Sequence, residues 1–321
     1  MSLEESVKAR ARELGFLACG ITHPGPSVHA HRLDEWLANG YAGTMRYLHR
    51  QAARRKEPQR IAPQARAVVV VLDNYYTADA DPSPEGSRSE PAAAPRIARY
   101  ARGKDYHQVT GARLGQLGEF LQANGAQLSR PYVDAGPVPE RELAQRAGLG
   151  WIGKNTMLIR PDAGSFFFIG SVFTDLPLQA DDQFDLDRCG SCTRCLDACP
   201  TDALVSPRVL DATRCISYLT IEQKGPIPDE LAGRFQGYAF GCDICNDVCP
   251  WNQRFAVASG PSEFQPHQAI ERAAPDLFEG MNDEEFSNRF ADTPLQRPGL
   301  EGMRRNFRAA CRSVGAASPS G

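Results

Sequence analysis

The stretch CGSCTRCLDACP, residues 189–200, sets the tightest limit on what this chain can become. Its spacing is C-x2-C-x2-C-x3-C-P. Three thiols at i, i+3 and i+6 suit the corner of a four-iron, four-sulfur cubane, and a fourth precedes a proline. A second run, Cys242, Cys245 and Cys249–Pro250, repeats the pattern with one upstream cysteine missing, and Cys215 is available to supply it. In two-cluster ferredoxins the cysteine before the proline ligates the other cluster. Crossing the runs in this way assigns Cys189, Cys192, Cys195 and Cys249 to one cluster. Cys199, Cys215, Cys242 and Cys245 then hold the other. Eight thiolates make two clusters with none left over. Paired zinc sites prefer C-x2-C pairs separated by a longer loop, so the spacing favours iron–sulfur. Cys19 and Cys311 stand apart and read as structural thiols.

Ten cysteines in a secreted chain would suggest disulfides. Here the first residues carry acid rather than an apolar signal core, and no run of 18 apolar residues appears. The expectation is a cytoplasmic protein with no membrane partner, in which clustered cysteines mean metal. The formal net charge of −3 is not that of a polycation, so contact with nucleic acid requires a local basic patch.

The 321 residues leave far more chain than a ferredoxin module needs. Residues 1–180 mix helical and strand patterns and are expected to form an α+β sandwich. Leu3, Val7, Ala11 and Leu14 share one helical face, and residues 31–39 read as a short helix. Residues 66–72, 131–134, 157–159 and 165–174 read as strands. Residues 107–124 and 139–147 read as helices. Residues 78–95 are rich in proline, alanine and acid and read as a mobile loop. Residues 181–255 are expected to be a ferredoxin-like domain. Residues 256–321 are expected to be a short helical tail, frayed at its end, with no repeat domain.

Two clusters in one chain make a wire, and a wire needs an acceptor. The glycine run GLGWIG, residues 148–153, matches a dinucleotide fingerprint literally. It follows a helix and precedes a strand, the reverse of the required order, so it reads as a tight turn. The segment DYHQVTG, residues 105–111, misses the corrinoid D-x-H-x-x-G signature by one residue. His107 therefore reads as a helix-start residue with Asp105 as N-cap, and not as a cobalt ligand.

The segment YARGKDYH, residues 100–107, resembles one found in epoxyqueuosine reductases. Further resemblance follows in order at Val133–Asp134, residues 146–155, residues 189–201, residues 214–222 and residues 241–250. It covers roughly residues 5 to 310. It implies reduction of epoxyqueuosine to queuosine at the tRNA wobble position, with electrons passing through two [4Fe–4S] clusters to a base-off cobalamin. It also implies a cobalamin-binding domain similar to that of reductive dehalogenases. The implied partners are a tRNA anticodon stem-loop as substrate and an external low-potential electron donor, acting on a monomer.

By the same resemblance, Asp134 is the proton donor; from the residues alone it would pass for a turn aspartate. The implied corrin contacts are Arg55, Asp134, Lys154, Asn155, Ser217, Tyr218, Cys242 and Asp243. Gln223 and Lys224 are expected to meet tRNA. Basic patches at Arg96, Arg99, Arg102 and Lys104, and in the tail around Arg304 and Arg305, are candidates for phosphate contact, with a solvated face as the alternative. Two other functions are compatible with these parts: a corrinoid reductive dehalogenase, and a non-enzymatic electron-carrier subunit.

Overall fold

The structure is a computed structural model describing residues 1–77, 95–271 and 273–315. The loop expected at 78–95 and the frayed end lie outside the described residues, apart from Pro95.

The central strand of the N-terminal part, Ala67–Asn74, is buried along its whole length. It carries a near-continuous valine run, which a strand needs only when both faces are covered. It sits inside a four-stranded antiparallel sheet with spatial order Ala18–Thr22, Ala67–Asn74, Phe167–Thr174, Ser129–Val133. Val69 and Val71 point to one face, where they meet Val7 and Ala11 of helix Leu3–Glu13 and Leu114, Leu117 and Leu121 of helix Tyr106–Ala123. Val68, Val70 and Leu72 point to the other face, toward Leu143 and Ala144 of helix Glu140–Arg146 and toward Ile61 and Ala62. The strand period of two thus divides one apolar run between two cores.

Two elements were not evident in the sequence. The edge strand Ala18–Thr22 is short and interrupted by Gly20. A side chain there would strike the carbonyl of Ala147, 2.1 Å from its Cβ, so the glycine permits strand and helix end to touch. Helix Arg46–Lys56 has no fully buried residue, so no apolar stripe announces it.

Mixed helix and sheet was expected, and it is found. The cysteine-rich part is built of short helices and tight turns, among them Arg194–Asp197, Ile216–Ile221, Ile244–Asp247 and Pro250–Phe255. It is not a separate bead. Strand Tyr238–Phe240 pairs in parallel with Arg96–Ile97. Ile97, Ala101 and Phe240 share a core with Phe278, Phe286, Phe290, Met303 and Phe307. Helix Gly299–Ser313 carries Met303 and Phe307 into that core. Among the described residues no helix is long and apolar enough to cross a membrane.

Candidate active site

Asp134 ends strand Ser129–Val133 with φ +45°, a left-handed conformation uncommon for a residue with a side chain. The turn holds it there by several bonds. Its backbone N–H donates to Glu140 Oε1 at 2.6 Å. The Tyr106 hydroxyl donates to its carboxylate. Arg55 donates to the carbonyls of Gly136 and Val138 at 3.0 and 3.1 Å, clamping the loop behind it. The carboxylate itself stays exposed.

The groups around it are unusual electrostatically. Burial and the Asp134 carboxylate raise Glu140 to about 8, so at neutral pH Glu140 holds a proton. Burial, then Asp134, pushes the Tyr106 phenol far up, which makes it a permanent hydrogen-bond donor. Tyr106 is stacked on Phe168, ring centroids 4.1 Å apart at 10°. Burial raises Tyr47, whose charged neighbours include Glu222, Arg297 and Asp134. His107 is raised chiefly by its hydrogen bond to Asp105, the N-cap of its helix, and also feels Asp134. The sequence pointed to Asp134. It gave no sign of Tyr47 or Glu140, because nothing local marks two residues that meet across a fold.

Tyr100 connects this cleft to the cysteines: it packs edge-on to Tyr106, centroids 6.2 Å apart, and against Gly241. It is raised well above the ordinary range by burial, then by Asp134 and Asp243. Asp243 follows Cys242 and accepts the backbone N–H of Arg99 at 2.8 Å. At Gly241, φ +64°, a Cβ would lie 2.7 Å from that of Ala98, so glycine lets the two backbones approach closely.

Eight cysteines lie near one another in the cysteine-rich part, and all but Cys249 are partly exposed. Cys195 is raised to about 11 by burial, with Cys189 and Cys249 among its charged neighbours. Cys249 in turn feels Cys189 and Cys192. Burial raises Cys215, Cys242 and Cys245. Cys215 neighbours Cys199, Cys242 neighbours Cys245 and Cys215, and Cys245 neighbours Cys215 and Cys199. Thiols crowded and buried in this way ionise only when a bound metal charge replaces their protons. N–H groups already point at sulfur: Trp151 Nε1 lies 3.4 Å from Cys189 Sγ, and Ala203 N lies 3.3 Å from Cys199 Sγ. Among the described residues no three His, Cys, Asp or Glu side chains close on a point for one metal ion. The first set instead borders a cavity of about 340 Å³, and the donor set fits a cluster.

Other expected contacts have specific places. Lys154 donates to the carbonyls of Gly190 and Cys192, beside the first thiol set. Asn155 donates to the Cys245 carbonyl and to Asn246. Ser217 hydrogen-bonds the Cys215 thiol. The Tyr218 hydroxyl accepts the Thr44 N–H at 2.8 Å and meets Gln223 Oε1 at 3.1 Å. Arg304 donates to the carbonyls of Phe278, Glu279 and Met281. Arg305 donates to those of Leu219, Gln223 and Gly225. Their guanidinium groups are turned inward, and Lys224, in the loop that Arg305 holds, is exposed. Arg99 reaches Asp243 and Asp247, so the 96–104 patch is partly internal.

Residues 55–135 match the family model described as epoxyqueuosine reductase QueG, DUF1730, and residues 188–252 match a 4Fe-4S double cluster binding domain. An epoxyqueuosine reductase of Pseudomonas aeruginosa is 42% identical over 306 residues, covering 95% of this chain and 84% of that one. One from Cyclobacterium marinum is 42% identical over 303 residues, covering 94% of each. The chain belongs to the epoxyqueuosine reductase family. The architecture agrees. An epoxyqueuosine reductase crystallised with an epoxyqueuosine-modified tRNA-Tyr stem loop superimposes with TM-score 0.86 at 30% identity, covering 98% of this chain and 82% of that one. A Bacillus subtilis epoxyqueuosine reductase whose catalytic aspartate loop is swung out of the active site matches with TM-score 0.83, 30% identity and the same coverage.

Proposed function

We propose that this epoxyqueuosine reductase family member removes the epoxide oxygen of epoxyqueuosine at the wobble position of tRNA. The reaction converts the epoxide to an alkene and releases the oxygen as water. It therefore takes up two electrons and two protons, and no side chain supplies the electrons. The first cluster is held by Cys189, Cys192, Cys195 and Cys249. The second is held by Cys199, Cys215, Cys242 and Cys245.

Cobalamin would be held between the Asp134 loop and the second thiol set. The Nε of Arg55 is buried beside the Asp134 loop with no protein acceptor, a donor suited to a propionamide carbonyl. Asp134, Ser217, Tyr218, Cys242 and Asp243 are the further contacts; Lys154 and Asn155, expected there from the sequence, line the cavity of the first thiol set instead. Bound there, cobalamin supplies a low-valent metal able to hold two electrons for breaking a carbon–oxygen bond. The corresponding domain is of the reductive-dehalogenase type.

The observation that carries the reading is the cleft at Asp134. Its carboxylate is exposed at the end of a strand, positioned by Tyr106 and Arg55, and backed by Glu140, which keeps a proton at neutral pH. In that arrangement Asp134 is the side chain placed to give a proton to the leaving oxygen. Gln223 and Lys224 meet the stem-loop, and Arg305 serves them by fixing their loop. In holoenzyme assayed on an epoxyqueuosine stem-loop, Asp134→Asn should lower single-turnover rate by roughly 10²- to 10⁴-fold, with iron content and stem-loop affinity unchanged. Wild-type turnover in that variant would remove Asp134 from the reaction.

A further inference from the structure

The cavity beside the first thiol set opens through a basic rim. Among the described residues Lys154, Arg188, Arg194 and Arg254 line it, and no Asp or Glu does. The three arginines are exposed. Their recorded partners are neutral: Arg188 lies over the Phe184 ring at 5.9 Å, Arg254 over Phe255 at 5.2 Å, and Arg194 reaches Gln253 Oε1 at 3.4 Å. The carboxylate next in sequence to Arg188, Asp187, is held by Arg208. The rim thus keeps a positive charge, with apolar surface from Ile159, Trp251 and Phe255 inside it.

Geometry also gives the wire a direction. Cys189, Cys192, Cys195 and Cys249 of the first set line this open cavity. Beside Cys242 of the second set, Gly241 lies against the Tyr100 ring, which packs edge-on to Tyr106, and the Tyr106 hydroxyl holds Asp134. The first set is therefore the outer one with respect to the Asp134 cleft.

We propose that the rim of Arg188, Arg194 and Arg254 is the docking surface for the external electron donor, a small acidic one-electron carrier protein. The inference rests on reading the chain as a reductase supplied from outside. Each encounter oxidises the carrier by one electron and reduces the first cluster by one, and two encounters supply the pair that one epoxide consumes. Opposite charge steers the partners together and sets orientation more than it sets ultimate affinity. A phosphate backbone would also be attracted. The rim encircles the outer cluster and not the Asp134 cleft, and electron transfer falls steeply with distance, so a carrier is the occupant it suits.

The test uses holoenzyme with its clusters, titrated with an acidic [2Fe–2S] ferredoxin at low and high salt. The variant R188E/R194E/R254E should bind the ferredoxin at least about tenfold more weakly at low salt, and the difference should shrink at high salt. Stopped-flow reduction of the clusters by the reduced ferredoxin should slow in parallel. Reduction by dithionite and affinity for the stem-loop should not change. The control R12E/R32E/R312E changes net charge equally outside the rim and should retain wild-type binding. Unchanged ferredoxin affinity, equal weakening in the control, or loss of stem-loop affinity in place of ferredoxin affinity would each overturn the proposal; the last would make the rim an RNA surface. If the triple variant loses iron, the three single reversals carry the test, each expected to weaken binding by roughly threefold. Binding is read without epoxide, so failure of the substrate assignment would leave this result interpretable.

Discussion

Glu140 sits against Asp134 and keeps its proton at neutral pH. Its ordinary value is 4.5 and the fold raises it to about 8. Between those values the unfolded chain carries the ionised form and the folded chain keeps the proton. Glu140 therefore costs no stability below about pH 4.5, and its contribution is lost as pH rises through about 8. Glu140→Gln preserves the acceptor for the Asp134 N–H and removes the titration. The melting temperature of the variant minus that of wild type should be near zero at about pH 4.5, climb across neutral pH and level off above about pH 8. A flat difference would mean that Glu140 ionises normally. Little of this was legible beforehand. Tyr106 lies in the quoted DYH motif, but the motif gave it no role of its own, and its bond to Asp134 spans 28 residues of sequence.

Two helices of the cysteine-rich part begin at a cysteine. Cys215 is the extended N-cap of Ile216–Ile221, and Cys249 that of Pro250–Phe255. Each thiol thus sits at a helix N-terminus, where backbone N–H groups favour a thiolate and its cluster. Cys215→Ala should lower iron from about eight to about four per chain, with the first set retained. Unchanged iron would break the crossed assignment, since Cys215 is the only cysteine between the two motifs. At this scale the motif spacing was legible because ligand geometry is imposed locally. The edge strand Ala18–Thr22 was not, because its place depends on contact between Gly20 and Ala147.

Across the whole molecule, the tail is part of the structure that supports the second thiol set. Phe307, 1% exposed, packs edge-on to Phe278 with centroids 4.7 Å apart. Their core includes Phe240, two residues before Cys242. Phe307→Ala should cost about 3–5 kcal/mol. It should lower the denaturant midpoint and speed iron release from the second cluster more than from the first. Equal release from both would show that the tail does not support the second set selectively. The tail cations, read in sequence as a patch for phosphate, also serve this packing. Arg308 pairs with Glu279, and Arg304 and Arg305 hold carbonyls.

The sequence by itself determined the thiol spacing, the Asp105 cap, the strand at Ala67–Asn74 and the family, because ligand spacing, hydrogen-bond capping and side-chain periodicity act over a few residues. Only the tertiary structure decided which charges face solvent and which face carbonyls, that Glu140 and Tyr106 converge on Asp134, and that the outer thiol set opens through a basic rim. Those outcomes depend on burial and on partners distant in sequence. The same arginine can bind phosphate or a buried carbonyl, and only the packing around it determines which.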